Sequence, residues 1–268
     1  MAEQSNKKNN FSLDRILDCL VSYILVPIFP SLALPKQEKS RRETAYQLAA
    51  EHLHFQPSDP NKTDNNLFEN YLKTFGLLPE KGYIKWRNCL QGEKNGVPFS
   101  LQDTSWMLNK DQKLPSLTYH AKAHYALLTL SPYHSIHSNV LIKNKKIFDG
   151  SIRLKQVEIE DDEFESLYDI YSDNSAEAIM LLRTGFSQAL LNYIQTTKKQ
   201  AEFIITSQKI FVLFPYSPGM GGRLHSSSCW DRPLFEPFTA PDSHQIEQDI
   251  SDILEIIPAL SLLENPRA

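Results

Sequence analysis

Four histidines, His120, His124, His134 and His137, lie close together and are the side chains best suited to hold a transition metal. His120 and His124 stand four apart, a spacing that on a helix turns two imidazoles to one side. Pro115 before them and Pro132 after them instead predict loops flanking a strand, and no glutamate follows His120 as an HExxH zinc motif requires. The acidic block Glu158 to Glu165 supplies the carboxylate oxygens that hard cations take. It lacks the alternating ligands and central glycine of a calcium loop, and Ile159 and Phe164 within it read as inward anchors on a strand and a turn. An acidic edge facing solvent or a partner, with Glu160, Asp161 and Asp162 at its centre, is the expectation.

Two other stretches carry reactive residue types. Gly219-Met220-Gly221-Gly222-Arg223 has the glycines that let backbone amides approach a phosphate, but neither GxGxxG nor GxxxxGK[ST] is present and no helix pattern follows. A loop joining two strands fits better. Ser226 to Ser228, His225 and Cys229-Trp230 contain a nucleophile and a base without a nucleophile elbow or a catalytic-cysteine signature. No catalytic residue, metal ligand or cofactor is therefore assigned.

Composition narrows the class further. In 268 residues, 28 basic and 32 acidic side chains leave a net charge of −4, and Trp86, Trp106 and Trp230 are dispersed rather than interleaved with basic residues. Neither feature suits nucleic-acid binding. Cys19, Cys89 and Cys229, odd in number and far apart, suit a reducing compartment. The hydrophobic fraction of 41% is enough for a substantial core.

The elements that must position these residues follow from periodicity. After a polar start, Ile16 to Leu34 is apolar over nearly a bilayer span of about 20 residues, but Asp18 lies inside it and Pro27, Pro30 and Pro35 interrupt or close it. Leu20, Ile24 and Leu25 head this segment, and the basic residues Lys36, Lys39, Arg41 and Arg42 follow at once. A monotopic or re-entrant membrane segment, a buried or dimerising helix and a full span are the open readings; the basic cluster would meet anionic headgroups on the cytoplasmic side, or simply begin a solvated helix. Residues 1–40 form this tail and segment, 41–66 a helix with Ala45, Leu48, Ala49, His52 and Leu53 on one stripe followed by a linker from Pro57, and 67–268 the folded domain.

Within that domain a short helix from Leu67 to Phe75 is capped by Gly76. Alternation then predicts strands around Ile84–Cys89 and Val97–Leu101 joined by a turn over Gly92–Gly96, and at Tyr125–Leu130, Asn139–Ile142 and Ser151–Val157. A strand-turn-strand unit is expected from Tyr168 to Leu182, then a helix capped by Thr184 with Phe186, Leu190, Leu191 and Ile194 on one face. A hairpin turns at Ser207-Gln208, and a final helix capped by Asp242 and ended by Pro258 presents Ile246, Ile250, Ile253, Leu254, Ile257 and Leu260. The fold class is α+β: a twisted or partly rolled antiparallel sheet of short strands, with a central and a C-terminal helix on it and N-terminal helices before it.

Phe148 and Gly150, the block Glu158 to Phe164, Tyr171-Ser172-Asp173, Glu177-Ala178 and the helix from Gly185 together resemble the bacterial domain-of-unknown-function family 3137. Gly76-Leu77-Leu78-Pro79 and Gly92 upstream, and Lys209 to Phe214 and Leu234-Phe235-Glu236 downstream, extend the likeness over about residues 67–263. Where that family often has a proline, this chain has Arg183-Thr184-Gly185, and only Ile16–Leu34 stands where family members often carry membrane helices. The resemblance implies no activity. The functional expectations are a non-enzymatic interaction or scaffold module tethered to the cytoplasmic face of a bacterial inner membrane; a soluble cytoplasmic subunit that uses Ile16–Leu34 for protein contact; or a metal- or ligand-binding, hydrolase-like domain with a site scattered along the chain. The partners are accordingly a membrane surface or an unidentified protein.

Overall fold

Strands β8 (Glu202–Ile205) and β9 (Ile210–Tyr216) show why the sheet forms where it does. Apart from Glu202, their residues through Phe214 are apolar on both sides, so both faces must be covered. The computed structural model describes residues 44, 47–59, 65–78, 82–107, 121–132, 136–144, 152–183, 185–216 and 243–261. Helix α1 (47–52) is followed by β1 (Gln56–Ser58), α2 (Asn65–Thr74), β2 (Tyr83–Lys94), β3 (Val97–Met107), β4 (Ala121–Leu130), β5 (Val140–Asn144) and β6 (Lys155–Val157). Then come α3 (Asp162–Leu167), β7 (Tyr168–Ser172), α4 (Ser175–Arg183), α5 (Phe186–Thr197), β8, β9, α6 (Ser243–Leu254) and α7 (Ile257–Ser261).

Among the described residues nine strands form one open sheet in the order β1-β2-β3-β4-β9-β8-β5-β7-β6, with every pairing antiparallel. The β8–β9 hairpin is inserted between β4 and β5, so the chain's late strands hold its two earlier halves together. One face carries Leu101, Leu128, Ile142, Ile170, Phe203 and Val212 beneath α1 and α3 to α7. The other carries Tyr125, Leu127, Leu141, Ile204, Phe211 and Leu213 beneath α2, whose Phe68 and Leu72 are fully buried. Phe68 meets Phe211 with ring centroids 5.0 Å apart, and Phe186 meets Phe203 edge-on at 5.5 Å.

Helix α6 docks as its periodicity requires. Ile246, Ile250, Ile253, Leu254, Ile257 and Leu260 are buried in the same cluster as Phe203, Ile205, Val212 and Phe214. The Tyr193 hydroxyl of α5 donates to the Asp252 carbonyl at 3.0 Å, and Lys199 Nζ reaches Asp249 Oδ1 at 3.4 Å. At the end of α2, Gly76 has φ of 81°, its amide donates to the Lys73 carbonyl and the Leu77 amide to the Leu72 carbonyl. That is the paired geometry of a glycine-terminated helix.

Several local expectations are corrected. Ser175 to Arg183 is helix, not the second strand of a strand-turn-strand unit; Asn174 begins it, and Ala178, Leu181 and Leu182 recur at helical spacing on its buried side. Gln56–Ser58, expected at the start of a linker, is the outermost strand, a place where Pro57 is tolerated because one side of an edge strand needs no amide. In α1 the buried residues are Ala49 and Ala50, while Leu48 and His52 face outward. The turn between β2 and β3 is Asn95-Gly96 alone, both at positive φ as a two-residue hairpin turn demands. Strand β6 is only Lys155–Val157. Helix α6 ends at Leu254, before Pro258, which falls in the first turn of α7 where a missing amide costs nothing. Helix α5 begins after Gly185, which makes no side-chain cap bond; Thr184 and Asp242 lie outside the described residues.

Two features shape β2. The register runs from Arg87 opposite Asp103 to Leu90 opposite Leu101, so one extra residue bulges near Asn88, which has φ of 47° and donates from Nδ2 to Asp103 Oδ2 at 2.8 Å. The bulge shifts the alternation, so that Leu90 joins the opposite face from Ile84 and Trp86. Farther on, a Cβ on Gly92 would stand 2.4 Å from Phe55 Cδ1, so glycine is required for the Phe55 ring to lie over the strand, edge-on to Phe99 at 4.9 Å.

Candidate functional site

The residues singled out around the centre of the sequence do structural work. Asp161 caps α3, accepting the Phe164 amide at 3.1 Å, and Phe164 beneath it stacks on Tyr168 at 5.0 Å. Glu165 folds back to accept the Ile159 amide, and Ile159 and Phe164 are both buried as inward anchors. Glu160, exposed and at φ of 60°, pairs with Arg183 at the end of α4, while Asp162 is exposed in the first turn of α3, where a carboxylate favours the helix dipole.

Ser172, Asp173 and Glu177 act as a clasp. Asp173 accepts the Asn139 amide at 2.9 Å and its side-chain nitrogen at 2.6 Å; the buried Ser172 hydroxyl lies 2.9 Å from the Asn139 carbonyl and 3.0 Å from the Asn174 amide. Glu177 accepts the His137 amide at 2.8 Å and an Asn174 side-chain bond at 3.3 Å. The start of β5 is thereby tied to the start of α4. His137 is exposed and His124 lies on β4, whereas His120 and His134 fall outside the described residues. Among the described residues no group of three or more His, Cys, Asp or Glu side chains could hold a metal ion. Leu20, Ile24, Leu25, Lys36, Lys39, Arg41 and Arg42 lie outside the described residues, as do Gly219–Arg223 and the Ser226–Trp230 stretch. Among the described residues no helix is long and apolar enough to cross a membrane.

Two polar constellations were not read from the sequence. The first is a row of charge across the α2 side of the sheet. Lys143 pairs in register with Asp169 on β7, and since its neighbour Ile142 pairs with Phe203, it stands across from Glu202 on β8. Lys143 and Glu202 are both buried. Burial pushes the Glu202 carboxyl up to about 7, against the opposing effects of the Asn144 amide, 3.2 Å away, and of Lys143. Burial, and then the charge of Glu202, also raises Tyr125 and Tyr168; the Ala201 amide opposes the shift at Tyr168 without making a hydrogen bond of full geometry to its hydroxyl. The alternation of Lys143 with Leu141, and of Glu202 with Ile204, was the available signal that these charges face a covered side.

The second is a cleft of about 420 Å³ between the start of α2 and strands β2, β3, β4 and β9. Its walls include Asn65, Gln102, Ser100 and Thr129, and Lys209 stands at the β8–β9 turn. Gln102 Nε2 donates to Asn65 Oδ1 at 2.8 Å, joining helix to sheet. Five elements contribute, which is why no local motif announces the cleft.

The family pattern described as "Protein of unknown function (DUF3137)" matches residues 121–262, just over half of the chain. The chain belongs to this family. The match begins at β4 and so includes the clasp, the buried row and the inserted hairpin, but neither β1–β3 nor α2. No curated protein matches the chain. Among solved structures, the crystal structure of the mycobacterial trehalose monomycolate transport factor A, TtfA, is similar over 85% of this chain and 97% of that one, at 10% identity and a TM-score of 0.43. At that score the likeness carries no inference about role.

Proposed function

We propose that this DUF3137 protein is a non-enzymatic interaction or scaffold module tethered to the cytoplasmic face of a bacterial membrane by Ile16–Leu34 and the following Lys36, Lys39, Arg41 and Arg42. The observation that carries the reading is that helices within residues 47–261 cover both faces of the sheet. Ile16–Leu34 lies outside the residues that form these two cores, and an apolar stretch of that length suits lipid or a partner. Basic residues directly after it add attraction to anionic headgroups of about 1 kcal/mol each. The motif residues Asp161, Asp173 and Glu177 are engaged in capping and loop-tying, which supports a binding rather than a catalytic reading.

Asp18, Pro27 and Pro30 within the segment favour a second reading, a subunit that buries this stretch against another protein. Fractionation of cells expressing the full chain separates the two. The tether predicts a membrane fraction released by detergent but not by salt, and a soluble Leu20→Ser, Ile24→Ser, Leu25→Ser variant. A soluble parent in a high-mass complex that the triple variant leaves would favour the subunit; a soluble, monomeric parent would sink both.

A further inference from the structure

We infer that Lys143 on β5 is shared between two carboxylates, Asp169 on β7 and Glu202 on β8, and changes partner when Glu202 exchanges its proton with water. The device would sit at a joint of the fold, because β5 is the strand that connects β7 and β6 to the late hairpin. Its ladder with β8 is short: Val140, Leu141 and Ile142 pair with Ile205, Ile204 and Phe203. Beyond Ile142 side chains add to the join. Glu202 Oε1 accepts the Asn144 amide at 3.2 Å, and Asn144 Nδ2 donates to Gln200 Oε1 at 2.9 Å. The carboxyl that helps to hold β5 against β8 is therefore one that can ionise.

The charges within the row do not balance. Lys143 and Glu202 are 7% and 6% exposed, and Asp169, in register with Lys143, is half-buried. Two carboxylates flank one ammonium, so with both ionised the row holds a net negative charge, and the cost falls on Glu202 as the more buried of the two. Tyr125 from β4 and Tyr168 from β7 also face Glu202, both raised by burial and further by its charge. Its neighbour on β9 is Leu213, and α2 brings Phe68, Leu72 and Phe75 to this side of the sheet. On the far side of Asp169 stand Tyr171, raised by burial and then by Asp169, and the exposed Glu158 just past β6. Burial holds the Glu202 carboxyl at about 7, which sets the exchange at neutral pH. In acid Glu202 is a neutral acceptor for the Asn144 amide and Lys143 goes with Asp169. Above neutrality the Glu202 carboxylate draws Lys143 across, and Asp169 loses part of its counter-charge.

NMR of the full chain, following carboxyl carbons and lysine side-chain nitrogens across neutral pH, tests the exchange. Glu202 should titrate near 7, and the Asp169 carboxyl and Lys143 Nζ signals should step at the same pH. Glu202→Gln, which keeps the acceptor for Asn144, should abolish both steps. Lys143→Met should abolish the Asp169 step and move the Glu202 midpoint up by about one pH unit, as loss of a nearby opposite charge does. Flat Asp169 and Lys143 signals in the parent would overturn the inference. So would steps that survive in Glu202→Gln, or an Asp169 step that survives in folded Lys143→Met, since Asp169 would then feel Glu202 directly.

Discussion

Ile253→Ala should lower the unfolding free energy by about 2–5 kcal/mol, the range for emptying a buried aliphatic site that cannot collapse. Ile253 is 1% exposed and sits in one cluster with Ile250 and Leu254 from its own helix, Ile257 from α7, and Phe203 and Val212 from the central hairpin. A loss of that size is a large share of the 5–15 kcal/mol typical of a domain. It would act on the strands that join the two halves of the sheet. Urea unfolding of the full chain reads it as a lower midpoint with an unchanged slope. Ile253→Asp should do more, because a carboxylate there would be buried without a partner; an unchanged midpoint in that variant would mean α6 is not docked and its stripe is an exposed surface.

Glu202→Gln should raise stability above neutral pH and leave it almost unchanged in acid. The folded-state carboxyl titrates at about 7 against an ordinary 4.5, so the native state holds the proton more firmly than the unfolded chain does. The stability this contributes is fully present below pH 4.5 and is lost as pH rises through 7. Across that window the shift corresponds to about 3 kcal/mol at most. Glutamine keeps an acceptor for the Asn144 amide and has no charge to lose, and Lys143 retains Asp169 on its other side. The difference in unfolding free energy between variant and parent should therefore grow from pH 4.5 to about 8 and level off. A difference that stays flat over this range would mean that Glu202 ionises as it would in water.

How much of this was legible in the sequence depended on whether the signal was local. The stripe of α6, the hairpin at Ser207-Gln208 and the Gly76 cap each depend on local spacing, and the structure has them as expected. Ile159 and Phe164 point inward as expected, but Phe164 sits on helix α3 rather than in a turn and Ile159 lies past the end of β6 rather than on a strand. Ala176 to Leu182 misled because Ile179-Met180-Leu181-Leu182 is a continuous apolar run, and such a run does not tell helix from buried strand. The helix is decided by Asn174 and Glu177 at its start, and by the exposure of Met180 on its outer side. The bulge near Asn88 was hidden because a shift of one residue changes the face of every later side chain without altering the alternation. The buried charge row and the cleft were illegible for a further reason. Lys143 meets Glu202 only because the last hairpin is inserted beside β5, and Lys209 nears Ser131 only because the same hairpin pairs with β4.

The tether proposed for Ile16–Leu34 rests on both faces of the sheet being covered by helices within residues 47–261. Flotation of the purified full chain with lipid vesicles tests it most directly. The protein should rise with vesicles containing phosphatidylglycerol, rise less with vesicles of phosphatidylcholine alone, and stay behind when Leu20, Ile24 and Leu25 are replaced by serine, with the melting midpoint unchanged. A parent chain that remains in the dense fraction with both kinds of vesicle, monodisperse without detergent, would contradict the account.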